Sequence, residues 1–154
     1  MLPVKLKKTD SIGLSLSWIK FKKALLINDS PALHRLSLPL LDCDLYQEAD
    51  PNKLPKDNFM PIDTFIKQFT YHMPDSKLWS VVKTKKKRLR VENAIDFHPR
   101  NVKHQKSKSL MIYEVWYTTW EPDELQKGHE GQAHAFEFVK INGEFKFYGI
   151  TSIP

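Results

Sequence analysis

Gly131-Gln-Ala-His134-Ala-Phe136-Glu137-Phe138-Val139-Lys140-Ile141, then Asn142-Gly143, then Glu144-Phe145-Lys146-Phe147-Tyr148-Gly149-Ile150-Thr-Ser-Ile153 is the stretch whose reading decides the fold. Two runs rich in aromatic and β-branched residues flank an Asn-Gly pair, the strongest short-range signal for a two-residue β-hairpin turn. Both turn residues tolerate positive φ, so the turn can follow the right-handed twist of its strands. Counting outward pairs Ile141 with Glu144, Lys140 with Phe145, Phe138 with Phe147 and Phe136 with Gly149. His134, Phe136, Phe138, Phe145 and Phe147 are then expected on one face. Ala133, Ala135, Val139, Tyr148 and Ile150 fall on the other, with Glu137 opposite Tyr148.

Upstream of the hairpin the β-rich runs continue: Leu78 to Val82, Leu89 to Phe97 and Leu110 to Trp120. The first half reads differently. Leu14, Trp18, Phe21 and Leu25 recur at three- and four-residue spacing with Lys20, Lys22 and Lys23 between them, which predicts an amphipathic helix from Ser11 to Asn28. Asn28-Asp29-Ser30-Pro31 supplies capping side chains and a first-turn proline for a second helix carrying Leu33 and Leu36, ending near Pro39. A short strand over Leu40–Tyr46, a polar loop over Glu48–Asn58, and a helix opened by Pro61-Ile62-Asp63-Thr64 and closed by Pro74 complete the pattern. Helices first and strands later predict an α+β fold, its N-terminal helices packed on one face of an antiparallel sheet.

Composition bounds the alternatives. A chain of 154 residues fits one domain over 1–154, and a hydrophobic fraction of 41% excludes global disorder. No apolar run approaches the roughly 20 residues of a membrane span. The N-terminus lacks the apolar core and cleavage site of a signal peptide, so the cytoplasm is the expected location; a chain already trimmed of its signal would read the same. Cys43 is the single cysteine, which excludes an internal disulfide. The net charge of +6 and pI near 9.3 are concentrated in Lys83-Thr-Lys85-Lys86-Lys87-Arg88-Leu-Arg90, six cations in eight residues. That run attracts phosphates or acidic surfaces in principle. It carries no interleaved aromatic and no reading helix, so solvated hairpin charge, and not a nucleic acid partner, is the expectation.

The succession Trp18, Phe21, Ala24-Leu25, Asn28-Asp29, then a small second helix and a long antiparallel sheet, resembles the nuclear transport factor 2-like superfamily. The ending Asn142-Gly-Glu-Phe-Lys-Phe-Tyr-Gly-Ile150 is similar to the closing hairpin of its small bacterial members. The resemblance covers nearly the whole chain and implies a cone-shaped α+β roll, its helices leaning on a strongly curved sheet around a cavity. Catalytic members set an acid-base pair, often Asp with Tyr or His, inside that cavity, and no such motif matches here residue by residue. Trp18 and Phe21 stand where a tyrosine could lend a hydroxyl.

Candidate chemistry follows from these placements. A ligand pocket is expected between Trp18 and Phe21 and the face carrying His134, Phe136 and Phe147. There His134 serves either as a titratable group with a shifted pKa or as an ordinary hydrogen-bonded strand residue. Glu114 and Glu137 interrupt apolar strand patterns, which costs free energy unless they are paired. Trp116 and Trp120, of Glu114's parity, form either a stacking surface for a ligand or an aromatic core or dimer contact. His98 with His104, and His129 with His134, lack a carboxylate at ligand spacing, so no metal is expected, and no cofactor motif occurs. The two-sided apolarity of Leu110–Tyr117 suggests a homodimer through the helix-free sheet face. A small apolar ligand without catalysis is the leading expectation, and acid-base isomerase, dehydratase or cyclase chemistry is the alternative. A basic module docking on nucleic acid or an acidic protein is the weaker one.

Overall fold

The computed structural model describes residues 2–43, 59–72, 75–95, 101–102 and 109–153. The expected loop over Glu48–Asn58, the end of the strand over Leu40–Tyr46, Pro74, and the pair His98 and His104 lie outside the described residues. In chain order the elements are β1 (Leu2–Val4), α1 (Lys8–Leu26), α2 (Ser30–Leu36), β2 (Ser37–Cys43), β3 (Phe59–Pro61), α3 (Ile62–His72), α4 (Lys77–Thr84), β4 (Arg88–Ile95), β5 (Ser109–Trp120), β6 (Gln132–Ile141) and β7 (Glu144–Ile153). The strands form one open sheet in the order β1-β4-β5-β6-β7-β2-β3, antiparallel except where β2 runs parallel to β7. The helices pack on that sheet, so the chain is α+β as its sequence predicts.

Local chemistry explains the first half. Helix α1 buries Leu14, Trp18, Phe21, Ala24 and Leu25. It ends at Asn28, whose φ of 54° is left-handed; Asn28 N–H donates to Leu25 O and Asp29 N–H to Ala24 O, closing the last carbonyls. Asp29 then caps α2 by accepting from the Ala32 amide at 3.2 Å, with Pro31 in the first turn. On the surface His34 Nε2 meets Asp63 Oδ1 at 2.7 Å and ties α2 to α3.

The reading of Leu78–Val82 as a strand is overturned: it lies in α4. Ser76 caps that helix by accepting from the Trp79 amide at 3.1 Å. Leu78, Trp79, Val81 and Val82 are buried and Ser80 is exposed, the spacing of one helical face. The switch from helix to strand falls at Arg88, and the basic run spans a helix end and a strand start, not a hairpin. The edge strands β1 and β3 went unread because each has three residues.

The hairpin turn is as expected, with φ of 50° at Asn142 and 80° at Gly143. Ile141–Glu144, Lys140–Phe145 and Phe138–Phe147 pair as counted, and then the register slips. Glu137 opposes Gly149 and Phe136 opposes Ile150, leaving Tyr148 as the extra residue of a β-bulge. Glu137 therefore does not face Tyr148, and Ile150 moves to the helix side, into the core. The slip coincides with a close approach from the neighbouring strand. A Cβ on Gly149 would stand 1.8 Å from the Asp42 carbonyl oxygen, so only glycine lets β2 lie this close to β7. A second shift on β5, between Thr118 and Trp120, turns Trp120 toward the helices, where Lys77 lies 4.9 Å from its ring centre. Trp116 and Trp120 thus sit on opposite faces. Of the residues expected on the second face of the hairpin, Ala135, Val139, Tyr148 and Ile150 are buried within the single chain and Ala133 is half-buried.

Gly149→Ala is expected to destabilise the protein by roughly 2–3 kcal/mol, the cost of overpacking a site that cannot give way. Chemical denaturation reads this directly, and a neutral result would show that β2 is not held against β7.

Candidate functional site

The expected pocket between α1 and the hairpin is filled by the rings meant to line it. Trp18 lies 4.6 Å from Phe136 and Phe21 lies 4.2 Å from Phe147, centre to centre. Each of these four side chains is at most 1% exposed. Where two apolar faces match this closely, ring packing leaves no room for a ligand.

His134 shares their strand face and opposes Tyr117. It is buried, with Nδ1 hydrogen-bonded to the Thr119 hydroxyl at 2.5 Å, and burial pulls its pKa down to about 4. At neutral pH it is an uncharged ring in a polar contact. Trp116 lies on the opposite face of β5 beneath Arg90, whose guanidinium carbon is 4.6 Å from the ring centre. The structure therefore brings Trp18, Phe21, Phe136 and Phe147 together, sets His134 beside them, and separates Trp116.

A cavity of about 500 Å³ opens one step outward, between α1 and the α4–β4 connection. Its walls are Ile12, Ile19 and Leu89 with Ser11 and Ser15, its rim is Lys22, Lys85, Lys86 and Lys87, and its floor is Trp18 with Tyr117. Trp18 Nε1 donates to the Tyr117 hydroxyl at 3.0 Å. That leaves the tyrosine's own proton, which burial holds in place by raising the pKa, for an acceptor in the groove. Lys85 has Glu121 at 3.9 Å; among the described residues no carboxylate pairs with Lys22, Lys86 or Lys87. Tyr117 is the residue that sequence reading missed. The signal was its parity: Glu114 and Trp116 drew notice, and the residue between Trp116 and Thr118 had to face the helices.

The far face of the sheet carries the second polar arrangement. Glu114 is 2% exposed, and Arg90 Nε approaches its Oε1 at 3.5 Å, an ion-pair distance without hydrogen-bond geometry. Burial and then the charge of Glu92 push its pKa up to about 7, against the pull of Arg90. Arg90 also binds Glu92 directly. Glu137 stands opposite Glu114 across the strand pair. Tyr148 is buried with its hydroxyl 3.5 Å from Asp42 Oδ2, and its pKa is raised by burial, Asp42 and Glu137. Cys43 is buried, and no group of metal-ligating side chains occurs among the described residues. No helix among them is long and apolar enough to cross a membrane. The chain matches no protein-family model and no curated protein sequence.

Two opposed pH dependences follow. Glu114, raised in the fold, favours folding most below its unfolded pKa near 4.5, and that contribution is lost as pH rises through about 7. Glu114→Gln is therefore expected to gain on the wild type by on the order of 2 kcal/mol between pH 5 and pH 8. His134, lowered in the fold, contributes fully above about pH 6.5 and loses its contribution as pH falls toward 4, so His134→Asn should flatten the acid limb. Denaturation of both variants across pH checks each sign, and parallel curves would refute both.

Proposed function

We propose that the chain is a binding protein for a small molecule with an apolar body and an anionic head, held without catalysis in the groove between α1 and the α4–β4 connection. The observation that carries this is the groove's composition: aliphatic walls broken by Ser11 and Ser15, a lysine rim and the Tyr117 hydroxyl at the floor. Such a mix of apolar surface and a few convergent polar groups is usual for small-molecule sites. An apolar ligand inside the cone has no space beside Trp18 and Phe21, so the ligand belongs at the outer lip and needs a charge to match the lysines. Membership of the nuclear transport factor 2-like superfamily, as a small bacterial protein, is part of the same reading; helices packed on an open, mostly antiparallel sheet support it.

Acid-base catalysis is the second reading, and Glu114 favours it. A carboxyl that keeps its proton near neutrality beside Arg90 is poised for proton transfer. It lies on the other face of the sheet from the groove, so the two readings separate cleanly by mutation.

Titration with dodecanoate, followed by tryptophan fluorescence, is expected to quench emission, while dodecanol has a much smaller effect. Trp18→Phe identifies the reporting ring among the four tryptophans. Replacing Lys85, Lys86 and Lys87 together by Ala, or Tyr117 by Phe, should weaken dodecanoate binding about tenfold, as loss of a hydrogen bond or contact to a charged group does. His134→Asn should leave it unchanged. Equal response to dodecanoate and dodecanol removes the anionic-head reading, and salt-sensitive retention on heparin without dodecanoate binding would favour a docking role for the basic run.

A further inference from the structure

Helix α1 has a second apolar face that its packing does not use. Ile12 is 54% exposed, Leu16 56%, Ile19 54%, Leu26 51% and Ile27 63%. With Lys23, also exposed, Ile12, Leu16, Ile19 and Leu26 are spaced four, three, four and three residues apart. That is the alternation of a coiled-coil seam, in which one narrow line of side chains faces a partner helix. The buried residues Leu14, Trp18, Phe21 and Leu25 lie on the opposite side of the same helix. Isolated exposed aliphatics are common on protein surfaces, but a file of them over four turns of one helix is a binding face.

The charges beside this seam identify what fits it. In the flanking positions stand Lys20 on one side and Lys8 and Lys22 on the other, and Lys23 occupies the seam itself. Further out, Lys85, Lys86 and Lys87 border the groove on the Lys22 side. Arg35 and Lys146 border a second groove, of about 390 Å³, on the Lys20 side. Asp10 is the only acidic residue of α1. It points away from the seam, bonded to Lys140 at 2.9 Å and within 3.5 Å of the Tyr113 hydroxyl. Glu144 in the second groove is held by Lys146 at 3.3 Å.

From the spacing and the charge together we infer that the outward face of α1 docks an amphipathic helix of another protein whose apolar seam is flanked by glutamates or aspartates. A second copy of this chain is disfavoured, because it would bring lysine against lysine on both flanks. An anionic bilayer shares the charge requirement, but it needs no four-three spacing and would accept a broader apolar arc. Lys23 in the seam fixes register, since an acidic residue in the facing core position would pair with it. The seam shares Ile12, Ile19 and Lys22 with the groove, and the two are separable by mutation: Leu16 and Leu26 do not line that groove, and Tyr117 is not part of the seam.

The probe is a synthetic helical peptide of several heptads with isoleucine and leucine in its seam and glutamate on both flanks, titrated against the full chain by calorimetry. Binding is expected, weakening with added salt, and the same peptide with lysine flanks should not bind. Leu16→Ser with Leu26→Ser should weaken binding at least about tenfold while leaving the fold, read by circular dichroism, and dodecanoate binding intact. Because both leucines are half-exposed, the double variant keeps the core. Lys20→Glu with Lys23→Glu should shift preference toward the lysine-flanked peptide. Absence of binding to the glutamate peptide, equal binding of both peptides, or self-association through the seam would each overturn the inference. Uptake by phosphatidylglycerol vesicles without peptide binding would overturn it in favour of a lipid surface.

Discussion

The contact between Trp18 and Phe21 of α1 and Phe136, Phe138 and Phe147 of the last hairpin is the interaction on which the rest of the structure depends. Its ring centres lie 4.2 to 6.4 Å apart, and it continues from Phe147 through Phe65 and Phe69 to Trp79. One aromatic file thus joins α1, the centre of the sheet, α3 and α4. Each ring pair adds about 0.5–1.5 kcal/mol beyond the area it buries. The larger consequence is geometric: the rings fill the space between helix and sheet, and the groove over Trp18 lies at the margin of α1.

Much of this was legible from residue types alone. The three- and four-residue spacing of Leu14, Trp18, Phe21 and Leu25 placed α1, and Asn142-Gly143 placed the turn and its first pairs, because both signals are local. What failed to read was set by contacts between distant segments. The bulge at Tyr148 falls where the Asp42 backbone passes close to Gly149, which no count outward from the turn reveals. Leu78-Trp79-Ser80-Val81-Val82 has strand-like composition, and the capping hydroxyl of Ser76 outweighed it. The candidate site suffered from the same limit. Whether Trp18 lines a space or fills one depends on the fit of its neighbours, and Tyr117 became visible only when its hydroxyl met the indole.

Helix α1 has two apolar sides, and they follow different rules. The inner face is apolar and closed by shape, with Asp10 tied to Lys140 at its N-terminal end. The outer face alternates aliphatic crests with lysines, so it pairs weak apolar contact with long-range attraction. Electrostatic attraction of this kind governs how fast a partner arrives more than how long it stays, and it fades over about 10 Å at 0.1 M salt. Four acidic groups among the described residues are committed elsewhere: Asp10 to Lys140, Glu124 to Lys77, Glu114 and Glu92 to Arg90. Among the described residues, no carboxylate neutralises Lys22, Lys86 or Lys87 on the positive face.

The two outermost described strands of the sheet, β1 and β3, have three residues each, and each carries a proline, Pro3 and Pro61. A proline offers no amide proton to an incoming strand, and three residues give too short a template for continued pairing. The sheet therefore ends in two blunted margins. Growth by strand addition, the route to fibrils and runaway edge-to-edge stacking, is discouraged at both. The long, aromatic, β-rich strands β5, β6 and β7 thus occupy the centre of the sheet, away from either margin.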